Sequence, residues 1–265
     1  MIAHRIEARP TAHEGVVAVA AQSARGFARH THDQFGIGLV MGGAQTSASG
    51  RGQVEVGIGD LITVNPGEVH DGLPVDDRGR VWQMLYLDSS AMEKLAGRRA
   101  EFAFPALRQP GLADRFHRLF RAICDPSQNL ASEVELTRLS AALDDRPVKP
   151  AAPANVARAV EALQDDPAHP VSLAELAASA GLTRFHFLRS FAKATGLTPH
   201  AFQIQVRLHL ARRLILLGKP LAEVAAEAGF SDQSHLTRLF ARSYGMTPGG
   251  YASNFVQDRG KGHRG

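Results

Sequence analysis

Leu173-Ala-Glu-Leu-Ala-Ala-Ser-Ala-Gly181-Leu182-Thr183 has a second copy further along the chain, Leu221-Ala-Glu-Val-Ala-Ala-Glu-Ala-Gly229-Phe230-Ser231. Leu173, Leu176 and Gly181 recur 48 residues on, at Leu221, Val224 and Gly229, whereas Phe191, Gly196 and Pro199 recur 49 residues on, at Phe240, Gly245 and Pro248. The second copy therefore carries one extra residue, and a repeat of this length with one local insertion marks a duplicated structural unit. In each copy a short helix with apolar i, i+3 spacing runs into a glycine. A Thr or Ser follows, suited to cap a second helix with its own apolar stripe. The glycine ends the short helix because a residue without Cβ turns there at no steric cost. This is the signature of two helix-turn-helix units.

The second copy continues as Gly229-Phe-Ser-Asp-Gln-Ser-His-Leu-Thr-Arg-Leu-Phe240, then Gly245-Met-Thr-Pro248 and Tyr251. This pattern resembles the DNA-binding domain of the arabinose-operon regulator (AraC/XylS) family, closely over residues 154 to 255 and more loosely in the N-terminal half. The resemblance implies a transcriptional regulator whose outward helix positions enter the major groove: Arg184, Phe185, His186, Leu188 and Arg189 in the first unit, Gln233, Ser234, Thr237 and Arg238 in the second. Arg189 has the two donors needed to grip guanine O6 and N7, Gln233 can pair with adenine, and Phe185 and Leu188 offer apolar contact. Lys193, Arg207, Arg212, Arg213 and Arg242 are candidate phosphate partners. The connecting helix starts at Thr198-Pro199 and is expected to run to Leu217 with Phe202, Val206, Leu210, Leu214 and Leu217 as its stripe. At about 1.5 Å per residue it spans roughly 27 Å. A rod of that length can set two recognition helices in successive major grooves.

Charge is distributed to match. Residues 1–153 hold 17 Lys+Arg against 18 Asp+Glu, net −1, and residues 154–265 hold 13 against 8, net +5, which sums to the +4 of the whole chain. The basic half is the half with the duplicated unit, where a polyanion would bind. Hydrophobic content of 44% suits a globular protein of two domains. No apolar run approaches the roughly 20 residues of a spanning helix and no signal pattern opens the chain, so a cytoplasmic protein without a membrane partner is expected. Cys124 is the only cysteine, which excludes an internal disulfide and a thiolate cluster and argues against the alkyl-transfer repair proteins with a similar DNA-binding domain.

From Val16 to about Leu87 short apolar runs alternate with glycine turns: Phe35–Met41, Val54–Ile58, Leu61–Val64 and Val81–Leu87. Such spacing reads as a small sandwich or barrel. Gly26-Phe-Ala-Arg-His30-Thr-His32-Asp33 and Gly59-Asp60 through Pro66-Gly67-Glu68-Val69-His70 look like the two motifs of a cupin barrel, in the form found in the effector-binding half of the same family. The resemblance implies that His30, His32, Glu68, His70, Trp82 and Tyr86 meet a small-molecule effector. Metal-binding cupins add an acid a few positions after the His pair, and here that acid is missing. No metal or other cofactor is therefore expected, although three imidazoles are a chemically competent set for zinc or iron. Hydrogen-bonded structural histidines are the plain alternative, as core packing is for Trp82, Met84 and Tyr86 on one strand face.

Helical spacing follows: residues 89–96, then Leu112, Phe116, Leu119, Phe120 and Ile123 on one stripe, then Leu130 to Leu143 with Val134, Leu136 and Leu139. These two longer helices either cover the barrel or, as the resemblance implies, form a homodimer interface. The overall expectation is an α+β two-domain chain. Residues 1–144 form a cupin-like effector-binding domain, a β-barrel with two following helices. Residues 145–154 form a proline-rich linker and 155–257 an all-α DNA-binding domain of seven helices. Residues 258–265 are read as a disordered tail. The function implied is an effector-sensing regulator, not an enzyme, meeting RNA polymerase if it activates. The alternative is a metal-dependent cupin enzyme fused to a DNA-binding domain, with His30, His32 and His70 as ligands.

Overall fold

Phe35, Ile37 and Leu39 project from one face of strand β4 (Phe35–Gly42) while Gly36 and Gly38 occupy the other, and this alternation sets the layers of the N-terminal unit. The computed structural model describes residues 2–96, 101–140 and 153–255. It divides into two units, one made by the described residues up to 140 and the other by 153–255.

In the first unit β1 (Arg5–Pro10), β2 (Val16–Ser23), β4, β7 (Leu61–Val64), β9 (Arg80–Leu87) and β10 (Ala106–Leu107) form one antiparallel sheet in the order β1-β2-β9-β4-β7-β10. A smaller sheet has the order β3-β8-β5-β6, from β3 (Phe27–His30), β8 (His70–Pro74), β5 (Gln45–Ser49) and β6 (Gly52–Val56). Val16, Ala18, Phe35, Ile37, Leu39, Leu61, Leu85 and Leu87 pack on one side of the large sheet against helices α1 (Ser89–Ala96), α2 (Leu112–Ile123) and α3 (Asn129–Ser140). Phe116, Leu119, Phe120 and Ile123 come from α2 as its spacing predicts. The opposite side, with Arg80, Trp82, Met84 and Tyr86 of β9, meets the smaller sheet through the Phe27–Trp82 ring contact and the loop after β3 through His32–Tyr86. The expected antiparallel β domain followed by helices is what forms.

α3 departs from the expected stripe at two positions. Leu136 and Leu139 are buried with Ser132, but Leu130 and Val134 are exposed. Positions 134 and 136 lie about 200° apart on a helix, so they cannot share a stripe. Leu143 lies outside the described residues, as do the expected linker, apart from Pro153 and Ala154, and the tail.

The second unit contains the seven expected helices: α4 (Ala154–Asp165), α5 (Leu173–Ser179), α6 (Arg184–Thr195), α7 (Pro199–Leu216), α8 (Leu221–Glu227), α9 (Gln233–Tyr244) and α10 (Pro248–Phe255). α4 begins one residue earlier than a cap at Asn155 would place it, with Pro153 at the N-cap. α7 ends at Leu216, and Leu217 is exposed at its C-cap instead of belonging to the stripe. Among the described residues no helix is long and apolar enough to cross a membrane. Cys124 is half-buried, and burial pushes its thiol pKa up, keeping it protonated.

Candidate functional site

In the first unit the two motifs fold onto each other. Gly67 takes φ 72° in the Pro66-Gly67 turn and donates its N–H to the carbonyl of His32 at 2.7 Å, tying the His-x-His loop to the second motif. His30 and His70 are paired across β3 and β8. The rings of His30, His32 and His70 consequently cluster, with centroids 4.4 to 5.2 Å apart, and all three are buried. Tyr86 lies 5.1 Å from His32, and Trp82 reaches the cluster through Phe27, which is 6.1 Å from Trp82 and 6.2 Å from His30. Burial holds His70 below the ordinary imidazole pKa, so its neutral form is favoured. Five of the six residues expected at an effector site thus lie near one another, the three histidines buried and Trp82 and Tyr86 half-buried.

Glu68 is the exception. Its carboxylate accepts from Arg51 Nε at 2.8 Å and from the Asn65 N–H at 3.1 Å. Burial alone would raise its pKa, but the Arg51 and Ser49 contacts outweigh that and hold it low. Arg51 also donates to the carbonyls of Phe102 and Thr63, so Glu68 is half of a buried ion pair that fixes the loop. Its backbone carbonyl lies 3.0 Å from His70 Nδ1, while its carboxylate is taken up by Arg51 and Asn65. Two contributors went unnoticed in the sequence. Arg80, 2% exposed, donates to Gln45 Oε1, Arg25 O and Gly72 O and lies 4.6 Å from the Trp82 ring centroid and 5.5 Å from that of Phe27; burial lowers its pKa to about 10. Its place at i−2 from Trp82 on the same strand face was the available signal. Gly36 and Gly38 leave the inner face of β4 bare, and Met84 lies over them.

The second unit shows why the chain repeats. Ser172 caps α5 in a capping box with Glu175, at 3.2 Å from Oγ to the Glu175 N–H and 2.8 Å back. After Gly181 (φ 66°) Thr183 caps α6. In the second copy the turn at Gly229 (φ 78°) is one residue longer, and Asp232 caps α9 by accepting from the His235 N–H at 2.7 Å. The cap is therefore Asp232 and not Ser231, and the extra residue of the repeat sits in the turn. Phe187 and Phe191 are fully buried against each other, Phe191 also meets Phe202 of α7, and Phe240 is buried against Tyr251.

The outward face of α6 carries Arg184, Phe185, His186 and Arg189, all exposed, with Leu188 half-buried. Phe185 is 64% exposed, and the Arg189 guanidinium lies 5.6 Å from its ring centroid. On α9, Gln233, Ser234 and Arg238 are exposed and Thr237 is half-buried. Lys193, Arg213 and Arg242 also face outward. Arg207 and Arg212 do not, and the expectation of phosphate contact fails for both. Arg207 donates to Pro167 O at 2.7 Å, Gly229 O at 2.7 Å and Ala168 O at 3.2 Å, and Arg212 is buried among the helices. A guanidinium spent on carbonyls inside the domain has no reach to a duplex.

Residues 15–143 match the family model described as an AraC-like ligand binding domain, and residues 176–254 match a helix-turn-helix domain. The chain belongs to the AraC family of transcriptional regulators. Similar members include YbfI of Bacillus subtilis, an HTH-type transcriptional regulator, 28% identical over 79% of this chain and 81% of its own. The probable transcriptional regulator LumQ of Photobacterium leiognathi is 43% identical over 30% of this chain and 32% of its own. The fold of ToxT from Vibrio cholerae, solved with an unsaturated fatty acid bound, is alike over 94% of this chain and 98% of that one, with a TM-score of 0.62 at 10% identity. As an AraC-family protein the chain is a transcriptional regulator with an N-terminal ligand-binding domain and a DNA-binding helix-turn-helix domain. Nothing in these likenesses supports the alternative of a cupin enzyme.

Proposed function

We propose that this AraC-family regulator reads an operator through the outward faces of α6 and α9. A small organic effector in the β domain shifts the population of its DNA-bound arrangements. The carrying observation is Phe185: a large apolar side chain 64% exposed, with Arg189 over its ring, on a helix whose other face is fully packed. Such a residue at a helix surface is costly in water and rewarded by contact with thymine methyls. Arg189 adds guanine readout, and Arg184, His186, Gln233, Ser234, Thr237 and Arg238 complete the contact faces. Lys193, Arg213 and Arg242 hold phosphates. Arg189→Ala should weaken cognate binding by about 1 to 3 kcal/mol and relax base preference at one position. Equal weakening on every sequence, in a gel-shift series, would show that Arg189 touches phosphate only.

The sensing half rests on the region bounded by His30, His32, His70, Trp82 and Tyr86. ToxT, solved with a fatty acid bound, supports a fold of this kind accommodating an organic molecule. An effector acts only through differential affinity for the two DNA-bound arrangements. A homodimer through α2 and α3 fits the exposed Leu130 (75%) and Val134 (42%), which stand beside Arg118 and Arg121. A cytoplasmic location follows from the target, and contact with RNA polymerase follows if the protein activates. Residues 150–265 alone should bind the operator, because their helices share a core of their own. Fragment binding that appears only in the presence of the β domain would mean that dimerisation is essential.

A further inference from the structure

We infer that the molecule sensed by the β domain is a small organic acid whose carboxylate docks on Arg80 and Gln45 above Gly72, with its apolar body against Trp82 and Phe27. This rests on reading that domain as the sensing half, and it names the chemical class of the effector. Arg80 is 2% exposed, yet among the described residues no carboxylate pairs with it. Its guanidinium bonds only neutral oxygens: Gln45 Oε1 at 2.5 Å, Arg25 O at 3.1 Å and Gly72 O at 3.1 Å. Burial lowers its pKa to about 10, so the side chain keeps its charge at neutral pH. A buried charge without a counter-ion is destabilising, and an anion entering from outside compensates it.

Unused donors mark the seat. A guanidinium has five N–H groups, and the three bonds leave one on Nη1 and one on Nη2. Gln45, 5% exposed, uses Oε1 for Arg80 and gives its Nε2 to no acceptor among the described residues. The two side chains meet over Gly72, a buried position of β8 that carries no side chain. A Cβ there would stand 3.5 Å from Arg80 Nη2 and 3.8 Å from Gln45 Nε2, with nothing nearer. An acceptor oxygen seated in that gap faces both donors at close to hydrogen-bonding range. Carboxylate is the group that the planar, forked donors of arginine match. Trp82, 4.6 Å from the guanidinium, and Phe27, 5.5 Å from it, are both half-buried, so they offer an acid's apolar body aromatic surface that solvent also reaches. These rings ease the charge of Arg80 without neutralising it.

Trp82 is the only tryptophan of the chain, so its fluorescence reads this site directly. The full-length protein is titrated at constant ionic strength with sodium formate, benzoate and octanoate, each beside its neutral amide. At least one acid should give a saturable change and bind at least about 10-fold more tightly than its amide. Arg80→Met should abolish that preference. Circular dichroism identifies a variant that does not fold, and Gly72→Ala then decides. Its methyl meets only ordinary contacts and leaves the three bonds of Arg80 in place, but it fills the seat, so it should weaken the acid at least about 10-fold. No saturable response to any of the three acids, equal affinity for acid and amide, a preference that survives in folded Arg80→Met, or unchanged acid affinity in Gly72→Ala overturns the assignment. Operator binding is measured separately with and without the acid. An acid that binds but leaves the operator complex unchanged sinks the sensing reading and leaves the site standing, whereas an operator response with no change at Trp82 does the reverse.

Discussion

Gly229→Ala should destabilise the second helix-turn-helix unit by about 3 to 5 kcal/mol, adding strain at a left-handed residue to steric overlap. A methyl group on Gly229 would stand 2.7 Å from Ala168 Cα and 2.9 Å from Ala168 O, both backbone atoms with no rotamer to yield. Gly229 also has φ 78°, where L side chains are strained. The internal control is the first copy. Gly181 has φ 66° but nothing within 4 Å of an added Cβ, so Gly181→Ala should cost only about 1 to 2 kcal/mol. Hydrogen exchange at α8 and α9 amides and affinity for the operator report the difference. Equal losses for the two substitutions would show that the contact with Ala168 yields easily.

Arg207→Leu should remove about 3 kcal/mol from the same domain, because three charge-assisted bonds disappear and water replaces them in part. Its guanidinium joins the Pro167 and Ala168 carbonyls, ahead of the first helix-turn-helix, to the Gly229 carbonyl in the turn of the second. Gln203, one turn earlier on α7, adds a bond of 2.7 Å to His169 O. The substitution should therefore weaken binding to a full operator spanning two grooves far more than binding to a single-groove fragment. A variant that melts like the wild type, with unchanged preference between the two DNAs, would rule out this bracing role. The half-buried guanidinium also has its pKa lowered by burial, which marks the site as a place where charge is held at some cost.

Much of this domain was legible because its signals are local. Apolar spacing, glycine at a left-handed position and a capping side chain act within a few residues, so helices and turns could be placed from the letters alone. What sequence could not give was the side of α7 that Arg207 and Arg212 occupy. A helix with apolar residues nearly all round has no exposed face to read, and basic residues on it look like surface. The ion pair of Glu68 was not legible for a related reason: its partner Arg51 is 17 residues away and reaches it only through tertiary packing. β1 escaped notice because Arg5-Ile-Glu-Ala-Arg-Pro10 is charged, as suits an edge strand paired on one side only. The histidine cluster was partly legible. Motif spacing named its members, but the proximity of the rings depends on the turn at Gly67 and on the pairing of β3 with β8.

Strand β4 separates two tasks within eight residues. Phe35, Ile37 and Leu39 anchor the helices, while positions 36 and 38 carry no side chain and are overlain by the flexible thioether of Met84. A lineage, or a designer of biosensors, that varies Trp82 or Tyr86 alters the face turned away from the helices and leaves the packing of Phe35, Ile37 and Leu39 in place.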